Sequence, residues 1–287
     1  MPGIITVVLA IALALGGVQD ILAAQISKES ADNQNDKVEE SAKKPEDTSP
    51  QENIPADYYQ QLGLPSIKQA WSPFDYINAA NILASLVKQS PQKIPHYNDP
   101  VGRAYMEHMA DGNNLYNTLR FANTHEQRLE LIMLYLDGLQ RLFTVYQQVL
   151  SDATPYYAEW IDIIGLNSYL AALSQPEWDF YLQQAAQNNT RGFNNAAIDQ
   201  KIQATTILQT ALVNPVIAGV QFMPKLSTTL AWRLLQQLNY SLPTYAHSLP
   251  LEALERLQQA FINAYQQSKD AKVRNAIHQL INEGSSL

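Results

Sequence analysis

The stretch HEQRLELIMLYLDGLQRLFTVYQQVL, His125 to Leu150, constrains the fold more than any other part of the chain. Leu129, Ile132, Leu136, Leu139, Phe143, Tyr146 and Leu150 recur at spacings of three and four, which lines them up on one stripe of a helix. A stripe of that size must be buried, and the rest of the chain offers more helices to bury it against. Thr124, with Gln127 three residues on, has the pattern of a capping box. Ser72-Pro73 and Asp99-Pro100 each read as an N-cap followed by proline at the first helical position, where the missing N–H costs nothing. They open PFDYINAANILASLVKQ, with Phe74, Ile77, Ala84 and Val87 on one face, and VGRAYMEHMAD. Thr154-Pro155, Ser174-x-x-Glu177 and Leu249-Pro250 mark three further starts, and Gly284 reads as the C-cap of KDAKVRNAIHQLINEG. No alternating run bounded by hairpin turns competes. The fold class expected is all-α, a multi-helix bundle or an irregular helical array preceded by a disordered linker.

One segment, IQATTILQTALVNPVIAGVQFMP from Ile202 to Pro224, carries no charge. Gln203, Gln209, Asn214, Pro215 and Gln221 interrupt it, so it reads as the central helix of the domain rather than a membrane span, with Pro215 breaking or kinking it. The N-terminus is different. Ile4 to Val18 is uncharged, but as a helix it reaches only about 22 Å at ~1.5 Å per residue, short of a hydrocarbon core of about 30 Å. Asp20 penalises any extension. Residues 1–24 are therefore a signal peptide or an N-terminal membrane anchor. Small residues at Ala14-Leu15-Gly16 and Ala23-Ala24 offer processing sites, while the lack of a preceding Lys or Arg counts against a signal. Residues 25–55 concentrate charge with no aromatic residue, the composition of a disordered acidic linker. Aromatics begin at Tyr58, so the all-α globular domain is set at residues 56–287.

Charge excludes one class of partner. Lys and Arg number 19 against 27 for Asp and Glu, a formal charge of −8, which gives no footprint for a phosphate backbone. Nucleic acid is not an expected partner. The chain has no cysteine, which removes disulfides, thiolate nucleophiles and Cys-containing zinc sites. The polar surface comes largely from uncharged residues, and the wealth of Tyr and Gln suits amphipathic contact surfaces.

Candidate chemistry is sparse. Glu107, His108 and Asp111 form the best metal candidate, since His108 and Asp111 share a helical face. A third ligand at recognisable spacing is missing, and there is no H-E-x-x-H, so no metal is assigned. Two carboxylate pairs sit beside tryptophans: Glu159 with Asp162 next to Trp160, and Glu177 with Asp179 next to Trp178. A glycosidase needs two such groups flanking the scissile bond, one with its pKa raised by an apolar pocket. The structural alternative is acids near helix N-termini with tryptophan in the core. No nucleophile elbow and no glycine-rich phosphate loop occurs, and no cofactor is expected. AQNNTRGFNN, residues 186–195, reads as a surface loop.

A short apolar N-terminus, a linker and a helical body together resemble the plan of the membrane-anchored steric foldases of lipases. WSPFDYINAA matches their Arg-x-x-Phe-Asp-Tyr motif at Phe74, Asp75, Tyr76 and Ala80. Trp71 stands where the motif has Arg, and Asn78 and Ala79 replace its Leu-Ser, so membership is not claimed. DAKVRNAIHQLI is similar to the second helix of a HEAT-type repeat, without a repeat of it upstream. The reading is an exported helical protein of the periplasm or envelope that acts by protein–protein contact, scaffold or chaperone-like. Its partner is an unidentified envelope protein, and membrane contact would run through residues 3–18. The alternatives are an exported glycan hydrolase using either carboxylate pair, and a helical domain holding a small ligand in an apolar pocket near Pro215 and Tyr245.

Overall fold

The computed structural model describes residues 54–150, 156–190 and 196–285. The apolar N-terminal run and nearly all of the linker lie outside these residues, as does Thr154-Pro155. All regular structure among the described residues is helical. The helices are α1 (Tyr58–Gln61), α2 (Pro73–Gln89), α3 (Pro100–Met109), α4 (Asn113–Arg120), α5 (His125–Gln148), α6 (Tyr157–Thr190), α7 (Ala196–Phe222), α8 (Thr228–Tyr245), α9 (Leu251–Gln267) and α10 (Ala271–Ser285). They form an array around α6, which packs against α5, α7 and α8. Helix α2 covers α5 on one side, while α9 and α10 pair with each other and close over α7 and α8.

The N-caps read at Ser72, Asp99 and Thr124 form. Ser72 Oγ accepts the Asp75 N–H while Asp75 returns to the Ser72 N–H at 2.8 Å, a full capping box. Asp99 accepts the Gly102 N–H at the start of α3. Thr124 Oγ1 accepts from Gln127 N at 3.1 Å, but the Gln127 side chain reaches one residue further back than a capping box requires, to Asn123 N at 3.0 Å.

The stripe on α5 is buried from Leu129 through Tyr146, with Leu150 at its edge. The face of α2 is not the one the spacing suggested. Tyr76, Ala79, Ala80, Leu83 and Leu86 are buried, and Phe74 is 67% exposed. Small residues decide this: Ala79, Ala80 and, on the facing helix, Gly138 let α2 and α5 approach closely. A methyl at Gly138 would sit 2.7 Å from Tyr76 Cβ and 3.1 Å from the Ile77 amide nitrogen.

Two prolines expected to stop or start helices lie within them. Helix α6 runs without interruption through Pro176, so Ser174 does not open a new helix and Glu177 is mid-helix rather than an N-terminal acid. Carbonyls near the proline also take side-chain donors: Ser174 Oγ of the same helix donates to Ala171 O at 2.7 Å and Arg128 Nη2 of α5 to Leu173 O at 3.0 Å. Helix α7 likewise continues through Pro215. Proline at 215 denies the Ala211 carbonyl its helical donor, and Gln140 Nε2 of α5 supplies one at 3.0 Å. Helix α6 also takes in the first half of AQNNTRGFNN, through Thr190, and α10 extends past Gly284 to Ser285.

The uncharged segment is the core helix it was read as. Among the described residues, Ala196–Lys225 is the one stretch long and apolar enough to cross a membrane, and 61% of its most apolar part is buried inside the protein.

Candidate functional site

An open cleft of about 620 Å³ is walled by α6, α8 and the turn between α3 and α4. Helical spacing puts its residues there. On α6, Asp162, Gly165 and Tyr169 fall on one face; on α8, Arg233, Gln237 and Tyr240 do the same. The turn contributes Asp111 and Gly112.

The floor is a polar network centred on Asp162, which is 5% exposed. Its carboxylate accepts from Arg233 Nε at 2.8 Å, Arg233 Nη2 at 2.5 Å and Gln237 Nε2 at 2.5 Å, and also from the Tyr97 hydroxyl. Four donors occupy the lone-pair positions of one carboxylate. Burial raises the Tyr97 pKa, and the charge of Asp162 and the bond to it raise it further, so Tyr97 stays a donor. Burial alone would lower the Arg233 pKa, but the hydrogen bond and charge of Asp162 outweigh it and the net shift is upward. The Arg233 guanidinium also lies over the Tyr97 ring, 5.1 Å from its centre.

Glu159, one turn before Asp162, is buried behind Tyr97. Its Oε1 accepts the Tyr97 N–H at 2.7 Å and lies 3.6 Å from His96 Nδ1, while Oε2 has no partner. His96 Nδ1 accepts the Asn98 N–H at 2.8 Å, which leaves the ring proton on Nε2. Trp160 packs into the core against Phe143 and Phe222 rather than lining the opening. The first carboxylate pair thus shares a face, as its spacing implied, with Asp162 fully engaged and Glu159 held through Oε1 alone. Glu177 and Asp179 are parted by the helix: Glu177 is buried and Asp179 exposed. Arg128 Nε donates to Glu177 at 2.9 Å, with His125 Nδ1 at 3.3 Å. Burial raises the Glu177 pKa, partly offset by Arg128 and His125.

The metal candidates do not converge. Glu107 is exposed, His108 packs edge-on to Trp71 at 5.4 Å, and Asp111 Oδ1 accepts two bonds from Asn113. Among the described residues no group of three His, Asp or Glu is placed to hold a metal. Pro215 and Tyr245 are both buried; the Tyr245 hydroxyl bonds Ser168 Oγ at 2.9 Å, and neither residue lines the cleft.

Sequence reasoning missed Tyr97, Arg233, Gln237, Tyr169 and Tyr240. One signal was present: Asp162 sits in IDIIG, flanked by apolar residues, and an acid there needs a donor from another element. In comparisons with known proteins the chain matches no family model, no curated protein and no solved structure.

Proposed function

We propose that this chain is an exported helical protein of the cell envelope that works by contact with another protein, and that the tyrosine-rimmed cleft is where contact is made. One observation carries the choice of surface. The Asp162 carboxylate at the cleft floor is engaged by fixed donors, while the rim leaves Tyr240 76% exposed. Large aromatics with a polar atom are the residues that anchor protein interfaces. The engaged Asp162 carboxylate also favours recognition over hydrolysis at this residue, because a general acid or nucleophile needs a free lone pair or a mobile proton. Export rests on the apolar run from Gly3 and the acidic stretch after it.

A photo-crosslinking residue at Gln236, inside the cleft, tests this in the full chain within the producing cells. The expected result is a discrete adduct from the envelope fraction that is missing when the same group is placed at exposed Gln259 on α9. Equal or no crosslinking at the two positions overturns the docking reading. Recovery of the chain only from the cytosol, with its first residues intact, overturns export.

A further inference from the structure

The rim of the cleft has a charge imbalance that its floor lacks. At the floor, Asp162 and Arg233 neutralise each other. Asp111 has no such counter-ion among the described ion pairs. Its Oδ1 accepts the backbone and side-chain amides of Asn113, both at 2.9 Å, which fixes the carboxylate in the turn without compensating its charge. Next to it, the Tyr169 ring lies against Gly112, where an added methyl would meet ring carbons at 2.8 and 2.9 Å. Tyr240 of α8 faces Tyr169 with ring centres 6.0 Å apart and planes inclined by 41°. Burial raises the Tyr169 pKa first, and Tyr240, Tyr116 and Asp111 add to it, so the fields of these four groups overlap.

A carboxylate beside aromatic faces attracts cations, because each ring carries a negative face. Among the described residues Arg233 is the only Lys or Arg lining the cleft, and it is committed to Asp162 and Tyr97. An anionic ligand would find no free cation among the described lining residues and would meet Asp111. The net charge of −8 steers basic partners toward the molecule.

The geometry points to a cation-recognition site at this end of the cleft, formed by Asp111, Tyr169 and Tyr240, that takes a guanidinium or ammonium group. The group is an arginine or lysine side chain of the protein partner or a free organic cation. The inference rests on the cleft being the contact surface, and names the chemistry it selects.

The test titrates the full chain with a fluorescein-labelled Gly-Arg-Gly-Arg-Gly peptide and with its citrulline counterpart, read by fluorescence anisotropy at low ionic strength. The arginine peptide should bind and the neutral one should not. Tyr240→Ala should weaken binding about two- to thirty-fold, the range of one cation–aromatic contact. Asp111→Asn should weaken it about five-fold, with the turn kept because an amide oxygen still accepts from Asn113. Gly112→Ala should also weaken it, since the methyl displaces the Tyr169 ring. Glu255→Gln, the same charge change on exposed α9, should have no effect. Equal binding of both peptides overturns the proposal, as does an effect of Glu255→Gln as large as that of Asp111→Asn. Spermidine displacing the peptide at comparable concentration identifies a free cation as sufficient; displacement only at large excess assigns the basic side chain in its peptide. A crosslinked partner at position 236 with no discrimination between the peptides removes the cation site and leaves the docking reading. Arginine-peptide binding without any crosslinked partner does the reverse.

Discussion

Gly165 is a sharp test of the network under the cleft, because a single methyl there should have opposite effects in two backgrounds. A Cβ at this position would lie 1.9 Å from Gln237 Oε1 and 2.6 Å from its Cδ, so the amide must leave. Leaving breaks its 2.5 Å bond to Asp162 Oδ1. A hydrogen bond to a charged group contributes about 1.5–3 kcal/mol, while replacing glycine by alanine inside a helix returns about 1 kcal/mol. Gly165→Ala should therefore destabilise the native chain by roughly 0.5–2 kcal/mol. In a Gln237→Ala background the bond is already gone, and the nearest remaining neighbour is the residue-237 Cβ at 3.2 Å. There the same substitution should stabilise, by up to about 1 kcal/mol. Urea unfolding of the four proteins, followed by far-ultraviolet circular dichroism, gives the cycle, with an unchanged m value as the check that only stability moved. The interaction energy expected is about 1.5–3 kcal/mol. If Gly165→Ala has the same effect in both backgrounds within ~0.5 kcal/mol, the amide is not wedged between glycine and carboxylate and the network is misread.

Gly138→Ala should force α2 off α5, because the methyl meets the Ile77 backbone nitrogen at 3.1 Å as well as Tyr76 Cβ. Overpacking offsets or outweighs the gain in helix propensity, by up to about 2 kcal/mol, which calorimetry should show as a Tm lowered by up to roughly 8 °C. Gln140→Ala leaves the buried Ala211 carbonyl without its donor and should cost about 1–3 kcal/mol; with Pro215→Ala present, which restores a helical N–H, denaturation should show a clearly smaller loss. Glu177 gives the pH dependence. Its folded pKa is raised by burial, so the native state holds this proton more tightly than the unfolded chain does. The stability of the parent relative to Glu177→Gln should then fall as pH rises from about 4 through the raised value, and level off above it. A difference that is flat or rises over that interval, measured by denaturation at a series of pH values, refutes the shift.

The parts of the fold written in short-range chemistry were legible. Caps are local, so Ser72, Asp99 and Thr124 could be placed from a few neighbours, and the α5 stripe carried its own period. What failed depended on distant residues. Pro176 and Pro215 look like helix breakers until Arg128 and Gln140, each on another helix, are seen donating to nearby carbonyls. The buried face of α2 was misjudged because Phe74 and Ile77 are large, whereas the decisive contact is with a glycine on α5, where close approach outweighs side-chain area. The carboxylate pairs were read for chemistry because spacing reports which acids share a face, and it is silent on the donors that engage them. Arg233 lies 71 residues from Asp162.

Tyrosine shows the same division and bears on the site. The chain has 15, an abundance that suggested contact surfaces. Most serve the interior instead. Tyr76, Tyr135, Tyr146 and Tyr156 donate to the backbone oxygens of Met109, Trp71, Pro95 and Pro91, tying connecting segments to the helices. A buried ring fills volume while its hydroxyl satisfies a carbonyl that no helix reaches, which a Phe cannot do. Exposed tyrosines are then the exception: Tyr116, Tyr240 and Tyr265. Tyr240 lines the cleft against Tyr169 beside Asp111, and Tyr116 is close enough to influence Tyr169. Composition spread the contact signal over the whole chain; burial concentrates it at that rim, where α4, α6 and α8 meet.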